Sequence, residues 1–172
     1  MRTWILSLIM LPLILSADIL TTSQLGWMHN LNDAKEQAAK EHKPIILFLH
    51  SRRCFYCPKM IEEVFPDPKV SAFLKAHFIR LDLDVATGSD SIEEDDAGQA
   101  PERFLVSMTP AFVYMGPKEE KLYRKGKKHM IIYGYWKPSE FIRWGREALK
   151  RFDKLYGKQY PPLLNTRKPN AK

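Results

Sequence analysis

The stretch PIILFLHSRRCFYC, residues 44–57, contains the two features that decide how this chain folds. Its first half is an unbroken apolar run, which is typical of a buried β-strand. Its second half ends in Cys54 and Cys57, and these are the only two cysteines among 172 residues. Two cysteines at this spacing form either a redox couple or half of a metal site. We expect a helix to begin at the pair, where the helix dipole would stabilise a thiolate, and this favours redox chemistry.

Two other interpretations of the pair stay open. A structural disulfide usually joins distant segments, because its stabilisation grows with the size of the closed loop. The ring that Cys54 and Cys57 would close is small, so redox exchange explains the pair better than a purely structural disulfide does. A zinc or copper site would need His50, His77 or Met108 to complete it, and these residues do not stand at ligand spacing. We therefore expect no metal.

The first 17 residues have the pattern of a secretory signal peptide. Arg2 supplies the positive charge, an apolar stretch runs to Leu15, and Ser16-Ala17 offers small residues for cleavage. The apolar stretch is shorter than the roughly 20 residues that cross a membrane comfortably. We predict an exported protein, with the periplasm as the simplest compartment. Secretion, the endoplasmic reticulum lumen and an uncleaved anchor are the alternatives.

Length and composition fit one globular domain. Apolar residues make up 45% of the chain and aromatic residues 12%, which argues against disorder. We predict a domain over residues 18–157 and a basic, proline-containing tail over residues 158–172. The formal charge of +7 indicates a basic surface that is exposed to solvent. It comes with no nucleic-acid-binding motif, so we expect no nucleic-acid partner.

Apolar periodicity and capping residues divide the rest of the domain into helices and strands. The helices are expected at residues 32–42, 54–64, 68–77 and 101–107 and from residue 138 onward. The strands are expected at residues 44–50, 79–85, 111–115, 122–124 and 130–133. The first two strands are joined by a stretch containing helix, which indicates a parallel crossover. One face of strand 79–85 should be more polar than the other. The last two strands should form an antiparallel hairpin. Residues 87–99 read as an acidic surface insertion.

The last helix should carry one apolar stripe along its length. The residues of that stripe are Phe141, Trp144, Ala148, Phe152 and Leu155. Gly145 lies inside the helix, where glycine costs up to about 1 kcal/mol relative to alanine, so we expect a packing reason for it. Gly157 fits the C-terminal cap.

This order of elements, with a cysteine pair after the first parallel strand, resembles the thioredoxin fold, and the chain is similar to exported thioredoxin-like proteins. The resemblance covers about residues 27–156. It is carried by the residues 43–48, 54–57, 64–70, 78–85 and Thr109-Pro110. It implies an α/β fold with a central mixed β-sheet flanked by helices and an acidic loop insertion.

The resemblance also assigns roles to matching positions. Cys54, the more exposed cysteine, would attack a substrate disulfide, and Cys57 would resolve the mixed disulfide. Pro110 would be a cis-proline facing the pair, and Thr109 would offer backbone groups to a bound peptide. No dissociable cofactor is implied, because the two cysteines are the redox centre. The partners would be protein thiols and disulfides and a second redox protein, such as a membrane thiol donor.

The surroundings of the pair depart from the thioredoxin pattern. Phe48 stands where thioredoxins often have a buried acid, so proton transfer to and from Cys57 needs another route. His50 could be a proton relay or a packed residue. Arg52 and Arg53 should lower the pKa of the neighbouring thiol and make the couple more oxidising.

The residues between the two cysteines are both aromatic. Phe55 and Tyr56 should be exposed, forming an apolar rim for flexible substrate segments. The sequence thus predicts a thiol–disulfide oxidoreductase, a reductase or an isomerase, with its direction open. The alternative is a non-catalytic client-binding or chaperone module on the same fold, and a metal-handling protein is a weaker one. Oligomeric state is not predicted.

Overall fold

A computed structural model describes residues 19–85, 106–125, 128–129 and 131–157. Its helices are α1 (Leu31–Glu41), α2 (Cys57–Lys59, continued by a π-helical turn at Met60–Val64), α3 (Pro68–His77) and α4 (Pro138–Tyr156). Its strands are β1 (Ile45–His50), β2 (Ile79–Asp84), β3 (Ala111–Met115), β4 (Arg124–Lys125), β5 (Lys128–His129) and β6 (Ile132–Tyr133). The predicted signal peptide, the acidic insertion, most of helix 101–107 and the basic tail lie outside the described residues.

The central sheet is mixed and has the strand order β2-β1-β3-β6. β1 and β2 are parallel, with Ile45 opposite Ile79 and His50 opposite Asp84. α3 lies in the chain between these two strands, which confirms the predicted parallel crossover. β3 runs antiparallel to β1, so Leu49 lies opposite Ala111 at the end of the sheet that carries the cysteines. β6 extends the sheet on the other side of β3.

The predicted hairpin is wrong in its strands. Within the described residues β4 pairs with β5 in a short separate ladder, with Arg124 opposite His129. β6 pairs with β3 instead, where Ile132 lies opposite Phe112. Ile132 is buried, so the gain from covering an apolar side chain attaches this segment to the central sheet.

The two faces of β1 belong to two separate cores, as the alternation of side chains along a strand requires. Ile46 and Phe48 face the larger core, which also contains both cysteines. Leu47 faces the other core, where Ala34 and Ala38 of α1 pack against the sheet. The cysteine pair therefore lies on the face that Phe48 occupies.

Two helix starts are fixed by side-chain caps. Asp67 accepts hydrogen bonds from the backbone N–H groups of Lys69 and Val70, at 2.9 and 3.1 Å, which confirms the predicted start of α3. The first helix was expected to begin at Asn32. It is capped instead by Asn30, whose carboxamide oxygen accepts from the backbone of Asn32 at 2.8 Å. This brings the apolar Leu31 into the first turn, where it is buried.

The apolar stripe of α4 differs from its prediction at Trp144, which is only partly buried against the core, and at Leu155. Its buried residues are Phe141, Gly145, Ala148, Leu149, Phe152 and Tyr156. Leu155 was expected in the stripe, but 56% of it is exposed. Tyr156 takes the inward position and stacks on Phe152, with ring centroids 4.5 Å apart. An aromatic ring covers more apolar area than the leucine would, so the stripe ends on the tyrosine.

Candidate functional site

Cys54 and Cys57 form a disulfide, with 5.4 Å between their Cα atoms. Cys54 is 8% exposed and Cys57 is 2% exposed. Cys54 is therefore the more accessible of the two, in the order that the resemblance implied. An incoming thiol or disulfide would meet the sulfur of Cys54 first.

The backbone around the disulfide consists of two successive turns. The N–H of Cys54 donates to the carbonyl of Ser51 at 3.0 Å, and the N–H of Cys57 donates to the carbonyl of Cys54 at 3.4 Å. The sequence predicted a helix start at Cys54, but the helix begins at Cys57. Pro58 explains the shift, because a helix from Cys54 would need a hydrogen bond from residue 58, and proline has no N–H to donate.

The loop before β3 lies beside the cysteine turn. The Thr109–Pro110 peptide bond is cis, as the resemblance implied. The hydroxyl oxygens of Thr109 and Ser51 are 3.1 Å apart, within hydrogen-bond distance. The carbonyl of Pro110 accepts from the N–H of Gly134 at 2.9 Å. Thr109 and Pro110 are thus brought to the turn that carries the cysteines.

The two residues inside the disulfide ring form an exposed aromatic surface. Phe55 is 74% exposed and Tyr56 is 49% exposed, which confirms that both side chains are exposed, as expected. Their rings meet edge to face, with centroids 5.2 Å apart. Lys59 lies over both rings, its Nζ 5.5 Å from the centroid of Phe55.

A third aromatic residue continues this surface and was missed from the sequence. Tyr135 lies beside Tyr56, with ring centroids 6.4 Å apart. Its hydroxyl donates to Glu63 at 2.9 Å, which ties it to the π-helical turn after the disulfide. That hydrogen bond raises the pKa of Tyr135. We call Phe55, Tyr56 and Tyr135 the aromatic rim.

The two arginines before the disulfide are both exposed. Solvent and salt screen exposed charges, so the expected influence of Arg52 and Arg53 on Cys54 is weakened. The other support for a low thiol pKa, a helix starting at Cys54, is also absent, because the helix starts at Cys57.

Asp82 is a residue of the site that sequence reasoning missed. Strand alternation predicted it on a more polar face, but it is only 3% exposed. The hydroxyl of Thr22 donates to one of its carboxylate oxygens, Oδ2. The other oxygen, Oδ1, lies 2.8 Å from Nε2 of His50. Asp82 lies opposite the buried Phe48 on the neighbouring strand, a register that only the structure shows.

Burial and the nearby carboxylates shift the pKa of His50 in opposite directions. Burial on its own would lower the pKa of His50, but the close contact with Asp82 and the charges of Asp82 and Asp84 outweigh it. The pKa of His50 is therefore raised above its ordinary value of 6.5. The imidazole therefore binds a proton more tightly than an isolated histidine does, beside a buried carboxylate.

Residues 26–117 match the thioredoxin-like family, so the chain belongs to that family. The fold is similar to an oxidoreductase named DsbH, with a TM-score of 0.60 and 20% identity over 72% of this chain and 83% of that one. It is also similar to a thioredoxin from Thermus thermophilus, with a TM-score of 0.58 and 25% identity over 77% and 94% of the two chains.

A third similar structure is the C-terminal domain of DsbD from Neisseria meningitidis in its oxidised form. The TM-score is 0.52 and the identity 19%, over 77% of this chain and 99% of that domain. No curated protein matches the sequence. Among the described helices, none has the length and apolar character that crossing a bilayer requires.

Proposed function

We propose that the protein is a thiol–disulfide oxidoreductase that exchanges disulfides with exported proteins through Cys54 and Cys57. The observation that carries the proposal is the position of the disulfide. It closes a ring over two exposed aromatic residues, Phe55 and Tyr56, and presents the more accessible cysteine beside them. A disulfide of this kind contributes little to holding the fold together, because it links residues that are already neighbours.

The reaction in the reductive direction has two steps. The thiolate of Cys54 attacks a substrate disulfide, forms a mixed disulfide and releases one substrate thiolate. Cys57 then loses its proton and attacks the sulfur of Cys54, which closes the Cys54–Cys57 bond and releases the second substrate thiolate. Two electrons pass from the protein to the substrate, and a second redox protein must restore the dithiol. The oxidative direction is the reverse of these steps.

The substrates fit the surface around the disulfide. The aromatic rim offers apolar contact to a flexible or unfolded segment, while Thr109 contacts Ser51 at the start of the turn. Aromatic side chains supply much contact area at a low cost in conformational entropy. Protein disulfides in extended segments therefore suit this site better than small compact ones.

The pattern of a signal peptide in residues 1–17 supports a location outside the cytoplasm. A periplasmic protein acting reductively would receive electrons from a membrane thiol donor. The 25% identical structure from Thermus thermophilus is described as a thioredoxin, which agrees with thiol exchange as the chemistry.

Turnover of a protein disulfide tests the proposal. The full chain should accelerate the reduction of insulin by dithiothreitol, and the variants Cys54→Ser and Cys57→Ser should both lose this acceleration. Equilibration with glutathione should then give the reduction potential of the pair. A potential near that of thioredoxin would indicate reduction, and a markedly higher one would indicate oxidation or isomerisation.

A client-binding module is the second candidate, and the exposed side chains of Phe55 and Met108 favour it, at 74% and 60% exposed. Such a module would bind unfolded chains without exchanging thiols. A variant with both Cys54→Ser and Cys57→Ser that still suppresses aggregation of reduced insulin, in a protein with no exchange activity, would identify it.

A further inference from the structure

The proposed chemistry requires a proton acceptor near Cys57. Cys57 must give up its thiol proton before it can attack the mixed disulfide. It is 2% exposed, so bulk water does not reach it freely. On the sheet face that it covers, Phe48 is fully buried and has no group that could accept a proton. The acceptor must therefore come from a neighbouring position.

His50 is the titratable residue of β1 on that face. It lies two positions after Phe48, and its ring stacks on the ring of Phe48 with centroids 5.3 Å apart and an interplanar angle of 23°. The next residue, Ser51, accepts the hydrogen bond from the N–H of Cys54. Along the chain His50 therefore stands between Phe48, which shares a core with both cysteines, and Ser51, which opens the turn that carries the disulfide.

Asp82 orients this histidine. Its Oδ2 is occupied by the hydroxyl of Thr22. Its Oδ1 makes no hydrogen bond of regular geometry within the described residues, and it lies 2.8 Å from Nε2 of His50. This contact holds the imidazole through Nε2, and the negative charge of the carboxylate favours the imidazolium.

We propose that His50, held by the buried carboxylate of Asp82, accepts the proton of Cys57 when Cys57 resolves the mixed disulfide. The inference rests on the proposed function. In this step the S–H bond of Cys57 breaks and its proton passes to the imidazole, which becomes an imidazolium beside Asp82. The Cys57 thiolate forms the bond to Cys54, the mixed disulfide breaks, and the substrate leaves as a thiolate. In the oxidative direction the imidazolium returns the proton to Cys57.

The charges around His50 favour this role. Asp82 and Asp84 of β2 both stabilise the imidazolium. From the N-terminal segment His29 faces the same carboxylate, with its Nδ1 3.8 Å from Oδ2 of Asp82. The side chain of His50 is 23% exposed, so its proton can exchange with solvent. Arg52, in the turn that follows, is exposed.

The kinetics of reduced protein with Ellman's reagent test the proposal. Cys54 attacks first and releases one thionitrobenzoate, and Cys57 then displaces the second. Thionitrobenzoate leaves without needing a proton, so the rate of the second phase measures how readily Cys57 is deprotonated. The Cys57→Ser variant should show the first phase only, which assigns the two phases.

General base catalysis is worth about a hundredfold or more, so we expect His50→Gln to slow the second phase by about that factor. The first phase should not change. His50 accepts a proton only when neutral, so the second phase of the natural protein should slow as pH falls through its pKa. Asp82→Asn should move that midpoint to lower pH. The matched control is His77→Gln, because His77 lies on α3 against Phe73 and outside this cluster.

Each outcome decides between the two proposals. A second phase in His50→Gln with the rate and pH midpoint of the natural protein would overturn the role of His50 and leave the proposed function intact. A natural protein that releases no second thionitrobenzoate would overturn both. If His50→Gln does not fold, Asp82→Asn carries the test, and an unmoved pH midpoint in that variant contradicts the proposal.

Discussion

The hydroxyl oxygen of Ser51 lies 3.1 Å from the hydroxyl oxygen of Thr109. Ser51 opens the turn that carries the cysteines, and Thr109 precedes the cis-proline, so one hydrogen bond joins the two segments that make the site. Ser51 is buried and Thr109 is half-buried, which limits the access of solvent to the bond. The contact therefore adds to the pairing of β1 with β3 in fixing the relative position of the two segments.

A double-mutant cycle measures the contact. Ser51→Ala and Thr109→Val should each lower the free energy of unfolding of the oxidised protein by about 1 kcal/mol, and the coupling energy should be about 0.5–1.5 kcal/mol. Urea unfolding of the four proteins gives these values. Ser139→Ala, at an exposed position on α4, is the control and should change little. Strictly additive effects would mean that the two hydroxyls do not interact.

The stability of the protein should depend on pH through His50. A base whose pKa is raised in the folded state binds its proton more tightly there. The stabilisation from the His50–Asp82 pair is thus fully present below the ordinary value of 6.5 and is lost as pH rises through the raised pKa. We expect His50→Gln to destabilise the protein more at a pH well below 6.5 than at one well above it, as measured by urea unfolding.

His77 provides a control with the opposite sign. Its pKa is lowered, first by burial and then by the charges of Lys43 and Arg146. The folded protein therefore loses stability at this position as pH falls below 6.5, and His77→Gln should remove that loss. If both histidine variants showed the same pH trend, the assignment of the His50–Asp82 pair would be wrong.

The alternation and spacing of apolar residues predicted the main strands closely. β3 has the predicted bounds, and β1 and β2 differ from theirs by one residue at one end. The burial of Asp82 could not be predicted in this way. Alternation tells which side chains share a face of a strand, but whether that face is covered depends on distant segments. Here Thr22 supplies part of the cover, 60 residues away in sequence.

The sequence predicted which residues lie at the site, but it predicted the local backbone conformation less well. The disulfide, the exposed Phe55 and Tyr56 and the neighbouring Thr109-Pro110 agree with the sequence analysis. The helix start was misplaced because the spacing of the cysteines suits a helix on its own, whereas the missing N–H of Pro58 decides where the helix can begin. The catalytic roles of these residues stay predictions.

The aromatic rim should act in substrate binding and not in stability. Phe55→Ser should raise KM for insulin by roughly five- to thirtyfold, because burying part of a phenylalanine ring contributes about 1–2 kcal/mol. The reaction with Ellman's reagent should not change, since that small probe does not need the rim. The free energy of unfolding should stay within about 0.5 kcal/mol of the natural value.

Leu155→Ser is the matched control for the rim. Leu155 is also a large apolar residue, 56% exposed, but it lies near the end of α4. Its substitution should leave KM for insulin unchanged. Equal effects of Phe55→Ser and Leu155→Ser would show that general surface hydrophobicity, and not the rim beside the disulfide, governs substrate binding.

Gly145 is required where α4 crosses α3. A Cβ added at this position would lie 2.5 Å from Cε1 of Phe73, which is closer than packed carbon atoms allow. Alanine would gain about 1 kcal/mol in helix propensity, but overpacking costs about 1–3 kcal/mol. We therefore expect Gly145→Ala to lower the free energy of unfolding.

In a Phe73→Ala background the ring that opposes the new methyl group is absent. Gly145→Ala should then raise the free energy of unfolding by up to about 1 kcal/mol. Urea unfolding of the oxidised proteins measures both changes, and a stabilising Gly145→Ala in the natural background would mean that the ring of Phe73 moves aside freely and that glycine is not required for this packing.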